Sequence, residues 1–250
     1  MHGNTQDNPE ALELAALLCS RVCHDVVNPV GAIINGLEVL DEGGDAELRE
    51  IAFDLIRKSA NQASAKLQFA RLAYGAASSS GSTIDLGDAE AVTRPIVESD
   101  KHKLIWNVPR LAAPKDMVKL VVNLVLAGIA TVPRGGTVTV DAEADGDTLS
   151  SITISCTGTN ARIPDEVERF VTGRGDWSEV TSHKIQPFYT GLIAKSAGMD
   201  VAFDWTGDII SINARRAVSA APEARPSVVA EVEETDDSVI SFATTPLRSA

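Results

Sequence analysis

Hydrophobic positions recur along residues 11–41 at the helical period. Ala15, Cys19, Val22, Val26, Ile33, Leu37 and Leu40 are three, four or seven residues apart. A turn follows at Glu42-Gly43-Gly44-Asp45, and a second helical pattern runs from Ala46 to about Tyr74 through Ile51, Leu55, Ile56, Ala60, Ala63, Leu67 and Ala70. Two helices of this length, joined by about four residues, predict an antiparallel hairpin with each arm on the order of 45 Å long. One face of such a hairpin is apolar and has little of its own chain to cover it. A second copy would bury it as a two-fold four-helix bundle. Gly75-Ala-Ala-Ser-Ser-Ser-Gly81 then reads as a linker.

Beyond it the pattern changes. Asp85–Val97 and Pro114–Val132 are helix-like, as are Glu166–Val171 and Gln186–Ala197. Lys103–Val108 alternates as a strand. Thr137–Ala144 and Leu149–Thr157 form one predicted hairpin, and Val201–Trp205 and Ile209–Asn213 another. The fold class is α+β: a long helical hairpin followed by a sandwich with helices on one face of a mixed sheet. The expected organisation is a disordered tip at 1–9, the hairpin at 10–75, a linker at 76–83, the α/β domain at 84–216 and an acidic disordered tail at 217–250.

Composition narrows the choice of partners. The 250 residues hold 22 Lys+Arg against 35 Asp+Glu, a net charge of −13, which argues against coating nucleic acid or anionic membrane. No continuous apolar run approaches the roughly 20 residues of a membrane span, and Met1–Glu10 lacks a signal pattern, so a soluble cytoplasmic protein is expected. Three cysteines, Cys19, Cys23 and Cys156, make no disulfide framework. Cys19 and Cys23 fall toward the buried side of the first helix while His24 faces away, so these three do not converge on a metal. Trp106, Trp177 and Trp205 are read as core or rim aromatics, and His2, His102 and His183 as surface residues.

The residue that carries chemistry is His24. At about 100° per residue, Val22, Val26 and Ile33 lie roughly opposite it, while Ser20, Arg21, Asn28, Gly31 and Asn35 share its face. The imidazole therefore points to solvent halfway along the hairpin. Asp25 follows directly. Pro29 sits inside the helix, where it removes the bond to the Asp25 carbonyl at a cost of about 3 kcal/mol. Counting from the turn, the neighbour of His24 in the second helix is near residue 63, where Ala60, Ala63, Ser64 and Ala65 are small enough for a partner's helix to approach closely.

The string His24-Asp25-Val26-Val27-Asn28-Pro29 resembles the phosphoacceptor motif of dimeric histidine kinases. Leu120-Val121-Val122-Asn123-Leu124-Val125-Leu126-Ala127-Gly128 resembles a helix of their ATP-binding domain. The likeness departs at each ATP contact: Ala127 stands where the family has a magnesium-ligating Asn, Cys156 where it has the adenine-reading Asp, and Gln186–Gly191 where it has a Gly-x-Gly phosphate loop. The whole resembles the ChpT-type histidine phosphotransferases of alphaproteobacteria over about 11–215, with Arg21–Asp25, Pro29, Gln186-Pro187 and Gly191-Leu192 most specific.

That resemblance implies a Bergerat-type sandwich that has lost its nucleotide, a homodimer and a phosphorelay linked to cell cycle regulation. His24 would accept a phosphoryl group from the receiver domain of a hybrid histidine kinase and pass it to response regulators, with Asp25 and Asn28 assisting. Ser20, Arg21, Val27, Gly31 and Ser64 would touch the partner. No nucleotide, metal or other cofactor is expected on this chain, the magnesium being the receiver's. Within the second domain, the sequence does not decide whether Asp116, Lys119 or the 172–184 loop touches the partner. A dimeric scaffold or receiver-binding inhibitor that never carries phosphate is the alternative.

Overall fold

The computed structural model describes residues 9–75, 83–146 and 148–216. The expectations for the N-terminal tip, the linker, the tail after Ala217 and His2 lie outside the described residues.

Helix α1 spans Pro9–Asp41 and α2 spans Ala46–Tyr74. They pack along each other as the predicted antiparallel hairpin. Asp45 caps α2 by accepting a hydrogen bond from the Leu48 amide at 2.8 Å, which satisfies one of the free donors at a helix start. Pro29 does not interrupt α1.

The second part opens with strand β1 (Thr83–Asp85) and helix α3 (Leu86–Val97), then β2 (His102–Asn107), β3 (Ala112–Pro114) and α4 (Lys115–Thr131). A long hairpin of β4 (Gly136–Asp145) and β5 (Thr148–Gly158) follows, then α5 (Asp165–Val171), α6 (Ile185–Ser196) and a second hairpin, β6 (Met199–Thr206) and β7 (Ile209–Arg216). The main sheet has the order β2-β4-β5-β7-β6, with β2 and β4 parallel and the other neighbours antiparallel. This is the expected mixed sheet. The pattern did not reveal the three-residue pair β1–β3 or the single turn of 3-10 helix at Trp177–Glu179, both too short to show a period.

Helix α4 is apolar on nearly every side because it is covered on nearly every side. Val118, Leu120, Val121, Val122, Leu124 and Val125 are all fully buried, against a sheet face of Val138, Val140, Ile152, Ile154 and Ile212. The same core takes in Phe69 and Ala73 from the end of α2, so hairpin and sandwich share one packed interior. Glycine permits the close approaches. A Cβ on Gly128 of α4 would lie 2.8 Å from Ile154 and 2.9 Å from the Cys156 sulfur, and one on Gly191 of α6 would lie 2.3 Å from the Phe170 carbonyl oxygen.

Two readings of α1 need correction. By length and composition Ala11–Asp41 passes as a possible membrane span, which a count of uninterrupted apolar residues overlooked because Arg21, His24, Asp25 and Asn28 break the run. Its packing along α2 is that of a bundle helix. Cys19 and Cys23 are exposed, not buried. Leu12, Val27, Val30, Ile34 and Leu37 are exposed as well, joined by Ile51, Phe53, Leu55 and Leu67 from α2. These exposed residues are the apolar face that the hairpin was expected to leave uncovered, whereas the period does not tell which stripe residues, such as Cys19 and Cys23, the chain itself buries.

Candidate active site

Pro29 has no N–H, so the helical bond to the Asp25 carbonyl is missing. A buried or half-buried carbonyl needs a donor. Lys66 of α2 supplies it, its Nζ donating to the Asp25 carbonyl oxygen at 2.7 Å. This contact ties the two arms together at the level of His24. It lies about one helical turn beyond the expected neighbour at residue 63, and Lys66 was not anticipated. An orphaned carbonyl facing a helix that carries a lysine is the signal that points to it.

His24 is exposed, its side chain 62% accessible. Its Nδ1 is 3.6 Å from Asp25 Oδ1, while the other oxygen of that carboxylate accepts from Arg21 Nε at 3.0 Å. Asp25 is thus held from three sides: by Arg21, by Lys66 through its carbonyl, and by the ring it orients. With Nδ1 facing a carboxylate, Nε2 is the nitrogen turned outward, and a neutral imidazole of that tautomer has its lone pair there. Asn28 lies exposed one turn on. The structure therefore brings His24, Asp25, Asn28 and Arg21 onto one open face.

The expected partner-contacting residues divide. Ser20 is exposed on the same helix, and Ser64 is exposed on α2, where its hydroxyl accepts from Gln68. Val27 and Gly31 instead line an apolar groove with Cys23, Val30, Ile34 and Leu67, on the flank left uncovered by the hairpin.

Below Asp25 a cavity of about 170 Å³ separates hairpin from sandwich, lined by Arg21, Asp25, Lys66, Phe69, Tyr74 and Leu126 among others. Burial pushes the Tyr74 hydroxyl up to about 12, opposed by Arg21 and reinforced by Asp25 and Tyr189, so Tyr74 stays a neutral phenol. Its ring meets that of Tyr189 on α6 edge-on.

The positions at which the sequence departs from the expected ATP contacts lie in or against the core. Ala127 and Cys156 are buried, and burial pushes the Cys156 thiol up to about 11. Gln186–Gly191 forms the first turns of α6. The Gln186 amide donates to the carbonyl and side-chain oxygens of Asn123 and to Thr190 Oγ1, while Asn123 donates to the Lys119 carbonyl and to that of Ala73 at the end of α2. Asn123 is fully buried and clamps hairpin, α4 and α6 together. Lys119 is itself mostly buried, which pulls its ammonium down from the ordinary lysine range despite the charge of Asp116.

Two histidines read as surface residues make specific contacts. His102 is half-buried, its Nε2 2.9 Å from the Val132 carbonyl oxygen. His183 is exposed, but its ring stands edge-on to that of His24, centroids 5.6 Å apart. No helical context marks His183, because it lies on the turn before α6 and meets α1 only through the tertiary fold. Trp205 is exposed at the β6–β7 turn, while Trp106 and Trp177 are rim residues, Trp177 against Phe188.

Comparison with known proteins gives three agreeing results. The family described as "Histidine phosphotransferase C-terminal domain" matches residues 86–209. A curated protein from Brucella abortus (strain 2308), "Protein phosphotransferase ChpT", is 43% identical over 204 residues, covering 82% of this chain and 96% of that protein. A solved structure titled "1.7 Angstrom Structure of a Bacterial Phosphotransferase" superposes with a TM-score of 0.73 at 40% identity, over 82% of this chain and 97% of that one.

Proposed function

Because the chain belongs to the ChpT-type histidine phosphotransferase family, and is thus a phosphotransferase of a phosphorelay, we propose that His24 is its phosphoacceptor. The observation that carries this is the exposed ring with Nδ1 turned to Asp25, which frees Nε2 for attack. The Nε2 lone pair forms the P–N bond, the P–O bond to the receiver's aspartate breaks, and the carboxylate leaves with that electron pair. The Nδ1 proton stays facing Asp25, whose negative charge favours the cationic ring of phosphohistidine. Transfer to a second receiver runs the same step backward. Asn28, one turn on, is placed to hydrogen-bond the phosphoryl oxygens or a water.

The partners are receiver domains, of a hybrid histidine kinase on one side and of response regulators on the other. Ser20, Arg21 and Ser64 meet them. The cation that neutralises the phosphoryl in flight comes with the receiver. The packing at Ala127 and Cys156 supports relay without bound ATP. Val27 and Gly31 belong to a dimer seam: the apolar flank of the hairpin is covered by a second copy, giving a four-helix bundle. The protein acts in the cytoplasm, and in cell cycle control as its family implies.

The test is transfer of radiolabelled phosphate from a phosphorylated receiver. Wild-type protein gains acid-labile label, and His24→Ala gains none. Label retained by His24→Ala would move the acceptor elsewhere, and no label on wild type would favour the scaffold.

A further inference from the structure

The second domain reaches the acceptor with a side chain of its own. His183 lies beside His24, rings nearly perpendicular at 85°. Its backbone is fixed on both sides. The Lys184 amide donates to the Thr181 carbonyl at 2.9 Å, Lys184 Nζ is 3.4 Å from Glu166, and α6 begins immediately after with buried Ile185 and Gln186.

The charges around the pair are already engaged. From α1, Arg21 is held by Asp25; from α2, Lys66 is held by the Asp25 carbonyl; from its own turn, Lys184 faces Glu166 of α5. Among the described residues, the His183 ring has no hydrogen-bond partner. A phosphoryl group arriving on His24 brings between one and two negative charges and three acceptor oxygens to this spot.

Resting on the reading that His24 carries the phosphoryl group, we infer that His183 is a second residue of the active site, which in its protonated form donates a hydrogen bond to the phosphoryl oxygens on His24. The group transfer is the one given above. His183 takes its proton from solvent, forms no covalent bond and stabilises the phosphorylated state over the free one. A domain that brings ATP to the acceptor histidine in kinases here brings an imidazole to the phosphohistidine.

The experiment measures how label partitions at equilibrium between full-length protein and the labelled receiver domain of the cognate hybrid kinase, at about pH 6 and about pH 8.5, which span the range where imidazoles change charge. His183→Gln lowers the share on His24 about fivefold at the lower pH, and by less than twofold at the higher. His183→Lys, charged at both, keeps the wild-type share at the lower pH and exceeds wild type at the higher. An equal loss at both pH values, or a lysine variant as weak as the glutamine one, reduces His183 to a packing contact and overturns the proposal. His24→Ala runs in parallel. If it still takes label, the acceptor assignment fails, whereas a flat pH ratio with unlabelled His24→Ala counts against His183 alone.

Discussion

Hairpin and sandwich treat their apolar residues in opposite ways. In the sandwich, Val118, Leu120, Val121 and Leu124 are wholly covered, and Ala127, Cys156 and the tight approach at Gly128 fill the interior between α4 and the sheet. In the hairpin, Val27 is 64% exposed, Ile34 51% and Ile51 60%, and the His24 ring stands in solvent. A site for a small molecule is concave, and filling it with side chains costs nothing once the ligand is no longer needed. A site for a visiting domain has to stay convex and solvated, because each receiver must leave after transfer. The sandwich has the filled interior of the first case, and the hairpin the open face at His24 that the proposed docking of a visiting domain requires.

The largest effect should come from breaking the proposed pairing of the hairpin with a second copy. A glutamate at Ile34 faces the apolar groove with Val30 and Leu67, and in a dimer would bury an unpaired charge there. Ile34→Glu is expected to convert a dimer to a monomer by light scattering at micromolar concentration, a twofold drop in mass. An unchanged mass would place the dimer seam elsewhere, and a monomeric wild type would remove the seam altogether.

The sandwich offers the converse test. Cys156→Asp introduces the residue type that the sequence resemblance expects at an adenine contact, but places a carboxylate in a fully buried position. It should cost about 3–5 kcal/mol of stability and give no ATP binding by calorimetry. Micromolar ATP binding would show that the cleft is only masked. The wild-type thiol gives a pH signature as well. Burial raises it from 9.0 to about 11, so the unfolded chain loses its proton first. The contribution of this group is intact below about pH 9 and is lost as pH rises toward 11, up to about 2–3 kcal/mol. Cys156→Ala should flatten the alkaline fall in melting temperature between those values.

The same contrast explains what was legible in sequence. Long periodic segments gave hairpin, sheet and α4 almost to the residue, since 3.6- and 2-residue repeats encode which side meets a core. The exposure and face of His24 followed from helix phase alone. Lys66 and His183 did not, because their roles depend on contacts 41 and 159 positions away in sequence, 66 less 25 and 183 less 24. Cys19 and Cys23 were misplaced for a related reason: helix phase marks an apolar side, but a copy rather than the chain itself is proposed to cover it.

The smallest effect tests the seam at His24 itself. Lys66→Met keeps the aliphatic stem and removes the donor to the Asp25 carbonyl, which Pro29 leaves without its helical partner. The loss should be about 1 kcal/mol, a fall of roughly 2–4 °C in melting temperature. If the lysine works by answering the proline, Pro29→Ala changes its worth, because an alanine N–H at that position can bond the same carbonyl. In the Pro29→Ala background, Lys66→Met should then be nearly silent, a coupling of about 1 kcal/mol in the double-mutant cycle. Additive effects would mean that lysine and proline stabilise the hairpin independently, and that the tie between the two arms at His24 is not a response to the missing amide.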